Sequence, residues 1–90
     1  MTDEELDNFV ETIPRDATAK SVAGVIEAFQ IFAKYLENGL NQQYFFEGQH
    51  DKIFVYVDPE KLLPQSDDGK RLIALGFYPN LELDNWYANT

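Results

Sequence analysis

The stretch Tyr44-Phe45-Phe46-Glu47-Gly48-Gln49-His50-Asp51-Lys52-Ile53-Phe54-Val55-Tyr56-Val57 decides the fold. Two runs dense in aromatic and β-branched residues, 44–47 and 53–57, flank a polar segment of hairpin-loop length. Gly48 is expected to supply a positive φ at the turn. In the second run, strand alternation sends Ile53, Val55 and Val57 to one face and Phe54 and Tyr56 to the other. Both faces are apolar, so this strand is either covered on both sides or turns its aromatic face to a partner.

Upstream the hydrophobic period becomes helical. Thr2 with Glu5 three residues on is a capping box, and Leu6, Phe9, Val10 and Ile13 form one stripe before Pro14. A short helix over 1–12 follows from this. A long helix is predicted over 17–38, capped by Asp16 or Thr18. Its stripe is Val22, Val25, Ile26, Phe29, Phe32, Ala33 and Leu36, widened by Ala28 and Ile31. Gly39 fits a left-handed cap with Leu40 folding back on Tyr35, and Gly24 marks a close approach by another element.

Downstream, Asp58-Pro59-Glu60 reads as a cap and first turn that Pro64 cuts short. After the polar loop 65–69 comes a short helix with Leu72, Ile73 and Leu75 on its buried face. Gly76 ends it, and Phe77 packs back. Residues 81–87 are the third strand. A tight alternative pairs Phe77 and Tyr78 with Trp86 and Tyr87 around a loop. The connection is too short for a parallel crossover. The expected fold is a single α+β domain over 1–90: a small three-stranded, mainly antiparallel sheet packed on one face by one long helix and short helices.

Composition narrows the chemistry. Sixteen acidic residues against seven basic ones give a net charge of -9, with one histidine and no cysteine. Disulfides, thiolate metal sites and thiol nucleophiles are thereby excluded. The acidic start, unlike a basic signal segment, and the short apolar runs lead us to expect a cytoplasmic protein without a membrane span. The aromatic segment 44–57 resembles a base-stacking sheet only superficially. Lys52 is its one cationic residue among the lysines and arginines, and the net charge repels phosphate, so no direct nucleic-acid binding is expected. Asp58, Glu60, Asp67 and Asp68 lack the alternating spacing of a calcium loop. His50-Asp51, with Glu47 nearby, is the only histidine–carboxylate neighbourhood, and nothing completes a metal or nucleophile set around it. We expect no metal and no cofactor.

The function these features favour is that of a small, acidic, non-catalytic interaction or accessory protein. Its partner is a protein, including a second copy of itself paired through the sheet or long helix. The interface candidates are Tyr44, Phe46, Phe54, Tyr56, Trp86 and Tyr87. Asp3, Glu4, Asp7, Glu11, Asp58, Glu60, Asp67 and Asp68 are candidates for an acidic surface. Two other readings stand beside it: a nucleic-acid-mimicking inhibitor of a basic DNA-binding protein, and a small enzyme using His50.

Overall fold

The computed structural model describes residues 2–89. The hairpin forms, shifted from its expected position: β1 is Phe46–Gln49 and β2 is Lys52–Val55, with His50 and Asp51 as a tight turn. Gly48 does not make that turn. It lies inside β1 without a positive φ. Tyr44 instead takes the left-handed conformation (φ +58°) just ahead of the strand.

The expected three-stranded sheet is corrected to four antiparallel strands, ordered β1-β2-β4-β3. Residues 81–84 are a turn, and the chain on either side of it forms β3 (Phe77–Asn80) and β4 (Asn85–Asn89). This is a hairpin where the tight alternative put one, but one residue out of its register: Phe77 lies against Ala88, Tyr78 against Tyr87 and Pro79 against Trp86. The Asn80 side-chain oxygen explains the turn, since it accepts from the backbone N–H groups of Glu82 and Leu83. Pro79 is tolerated because β3 is an edge strand.

Three helices complete the chain. α1 spans Asp3–Glu11, with the expected capping box between Thr2 and Glu5. α2 spans only Val22–Ala33, against the expected 17–38. The Asp16 carboxylate accepts from the backbone and hydroxyl of Thr18 in a turn, and Lys20 turns left-handed (φ +68°). Ser21 is therefore the true cap, its Oγ accepting from the Gly24 N–H at 3.0 Å. Gly39 is left-handed as expected, but it opens a 3-10 turn after the helix has ended, and Leu40 stays exposed. The buried line of α2 runs through Gly24, Ala28, Ile31, Phe32 and Ala33, which leaves Val22 and Ile26 outside. α3 spans Asp67–Ala74, capped by Ser66, and ends in Gly76 (φ +95°).

Alternation sorts the sheet into two faces. Phe46, Val55, Phe77, Trp86 and Ala88 point to an inner face covered by α2 and α3. Phe32 meets Phe77 and Trp86 there edge-on, at 5.5 and 6.1 Å between ring centres. Val57, Leu62, Leu72, Ile73 and Leu75 close this core. The helices do not all lie on one face as expected. Leu6, Asp7, Val10 and Glu11 of α1 share a cleft with Tyr78, Tyr87 and Asn89, so α1 lies across the outer face.

Arg71 fastens the helices to the chain ahead of α2. It donates to Asp16 at 2.7 Å and grips both carboxylate oxygens of Glu27. The Thr18 backbone and hydroxyl, then Arg71, hold Asp16 below the usual carboxylate range, and Arg71 does the same for Glu27. A depressed folded value means stabilisation that is complete above the ordinary carboxylate pKa of about 4 and is lost as pH falls through the folded value. Arg71→Met is therefore expected to flatten the acid limb of the stability curve below about pH 4. Urea midpoints measured from neutral to acid pH check this, and parallel limbs for the two proteins would refute it.

Candidate functional site on the outer sheet face

The outer face has an aromatic floor because three strands place rings at matching register. Phe54 on β2 faces Tyr87 on β4, which faces Tyr78 on β3. Their ring centres lie 6.4 and 5.9 Å apart. Glu47 extends the row onto β1. Lys52 holds its ammonium 5.3 Å from the centre of the Tyr87 ring, and Arg15 donates to the Tyr78 hydroxyl, so this floor already accommodates two cations. The Tyr56 hydroxyl donates to Glu47, and that hydrogen bond raises the phenol pKa.

Three open clefts share this floor. One of about 340 Å³ runs between Asp3 and Asp7 of α1, Lys52, Phe54, Tyr87 and Glu82. A second, of about 310 Å³, follows Asp7, Val10 and Glu11 along Tyr78 and Tyr87. The third, about 320 Å³, lies beyond α1 among Glu47, Gln49, Phe54, Tyr56, Leu83 and Asn85. Asn85 is 6% exposed, and its side-chain oxygen has no hydrogen-bond partner among the described residues.

The structure divides the interface candidates. Phe54, Tyr56 and Tyr87 come together on the outer face. Phe46 and Trp86 point inward, Trp86 fully buried and Phe46 about half exposed at the sheet edge. Tyr44 stands alone in the loop before β1, 92% exposed.

The acidic candidates divide as well. Asp3, Asp7 and Glu11 line the clefts, whereas Glu4 lies exposed elsewhere on α1. Asp58 caps its own turn by accepting from the Glu60 N–H, and both line a separate cleft with Asp84. Asp67 is exposed at the start of α3. Asp68 ties α3 to the end of α2, accepting from the Tyr35 hydroxyl at 2.8 Å and from Lys34 at 3.2 Å. Burial, with Asp68 beside it, raises the Tyr35 pKa. His50 sits exposed at the tip of the β1–β2 turn and lines none of the three clefts.

Sequence reading missed Tyr78 as a site residue. Its signal is the register that pairs Phe77 with Ala88, which puts Tyr78 beside Tyr87. No family model, curated protein or solved structure matches the chain. Among the described residues no helix is long and apolar enough to cross a membrane.

Proposed function

We propose that the chain is a non-catalytic interaction protein whose outer sheet face receives a basic segment of a partner protein in the cytoplasm. The observation that carries this reading is the continuous aromatic floor rimmed by Asp3, Asp7, Glu11, Glu47 and Glu82. Arginine and lysine side chains lay their stems and charged heads on aromatic rings while carboxylates take their N–H groups. A chain with a net charge of -9 also draws such a segment in from solution.

Titration with an arginine-rich peptide tests the reading. Binding is expected to weaken steeply with added salt, and Asp7→Asn combined with Glu47→Gln is expected to weaken it by about 10-fold. Equal affinity for a peptide of opposite charge, or salt-independent binding, would count against it. His50→Ala is expected to leave binding unchanged.

A narrower reading has one observation in its favour. Asp3, Asp7 and Glu11 follow one another at four-residue intervals, so each carboxylate stands about 6 Å further along the helix axis. Such a row suits imitation of a phosphate backbone. Duplex DNA should then compete with this chain for a basic DNA-binding protein.

A further inference from the structure

We infer that a second copy of this chain pairs antiparallel with β1 about a two-fold axis at Gly48, joining two four-stranded sheets into one of eight strands. This uses the open backbone edge of β1, which adjoins the outer face at Glu47 and Gln49, and does not depend on the basic-segment reading.

β1 is an edge strand with all four residues exposed. The Tyr56 N–H donates to the Phe45 carbonyl, so alternate residues from 45 onward turn their backbone groups toward β2. Phe46 and Gly48 therefore direct theirs outward, where no backbone partner meets them among the described residues. The other edge is blunted, because β3 carries Pro79 and α1 lies over its outer side.

Gly48 is the second observation. Its φ is not positive, and a Cβ built on it would meet nothing within 4 Å. Neither turn geometry nor crowding within one copy calls for glycine there. Glycine inside a strand marks a place where another backbone or element comes close. The register agrees. A two-fold that keeps both sheets facing the same way pairs residues of equal parity. Centred on Glu47, it sets two carboxylates directly opposite, which is unfavourable. Centred on Gly48, it sets Glu47 opposite Gln49 of the second copy and Phe46 opposite its His50.

The helix layer fits the same axis. Val22 (78% exposed) and Ile26 (52%) continue the helical row of Phe29, whose ring lies 5.8 Å from that of Phe46 beside the open edge. A two-fold normal to the sheet puts both α2 helices on one side, so each apolar row covers the other. The missing Gly48 side chains leave room beneath them. Electrostatics permits the approach, since residues 17–50 hold two lysines and three glutamates. They thus carry little of the net charge of -9, and the acidic α1 lies on the opposite face. Both outer faces end up side by side, giving a partner with two basic segments the advantage of a linked second contact.

Sedimentation of the full chain from micromolar to sub-millimolar concentration tests the inference. The mass is expected to rise from 10.4 kDa to twice that value, with slowed hydrogen exchange at the Phe46 and Gly48 amides. Gly48→Glu puts two carboxylates on the axis and is expected to weaken pairing by about 10-fold or more, with an unchanged thermal transition at dilutions where the wild type is monomeric. Ile26→Glu, on the helix row, is expected to do the same. A wild-type mass fixed at 10.4 kDa throughout would overturn the inference. So would a doubled mass that persists in both variants, which would mean another face. A protected β1 edge in a chain that sediments as a monomer with a co-purified peptide would overturn it too, because a foreign strand would then be the occupant. The arginine-rich peptide should still bind the monomeric Gly48→Glu chain, so the two readings fail separately.

Discussion

Gly69→Ala is expected to lower stability by about 3 kcal/mol, a large part of the roughly 5–13 kcal/mol that a chain of this size possesses. Gly69 occupies the first turn of α3, where its N–H donates to the capping Ser66 oxygen at 3.0 Å. Its Cα faces the segment that precedes the cap. A Cβ there would overlap the Leu63 carbonyl oxygen and lie 2.7 Å from the Pro64 Cα. Both obstacles are backbone, so no side-chain rotation relieves them. Alanine brings about 1 kcal/mol of helix propensity, which is too little to offset the collision. Gly48→Ala is the matched control: within one copy its Cβ meets nothing, so it should not lower the urea midpoint of the dilute, monomeric chain. A Gly69→Ala chain as stable as wild type would show that the 63–64 segment yields easily.

That glycine also shows why some of the fold was legible in sequence and some was not. Helix ends governed by neighbouring residues could be read directly: the Thr2–Glu5 capping box and the Gly76 cap form as the sequence suggests. The start of α2 could not be read so simply. Asp16, Thr18 and Ser21 are all good caps, and Ser21 takes the role because the Asp16 carboxylate closes a turn on Thr18 and is held there by Arg71, fifty-five residues away. The expected helix accordingly lost its first turn to a loop.

Strand number was misread for a related reason. Tyr78-Pro79-Asn80 looks like a turn, and 81–87 like a single strand interrupted by Asp84 and Asn85. In fact Pro79 sits on an edge, and Asn80 shapes the turn. The site suffered from the same error. Phe54, Tyr56 and Tyr87 could be chosen as aromatic candidates, but only the β3–β4 register puts Tyr78 in their row. α1 gave no sign in its sequence of lying on the outer face. Its stripe of Leu6, Phe9, Val10 and Ile13 fits either side of a sheet equally well.

Trp86→Ala is expected to cost about 3–5 kcal/mol, a large part of the total, and to lower the urea midpoint sharply. Trp86 is fully buried at the centre of the inner face, between Val55 and Pro79 in register and against Phe32. In a core this small, the void has no second layer to collapse into. Trp86→Phe should be far milder, because the indole Nε1 is buried with no acceptor among the described residues. Removing that unpaired donor recovers part of the roughly 1–3 kcal/mol that its desolvation costs, offsetting the lost ring area. Near-ultraviolet dichroism and urea titration separate the two variants. A Trp86→Ala chain that still unfolds cooperatively near the wild-type midpoint would mean that this tryptophan is not the keystone of the core, as its burial requires.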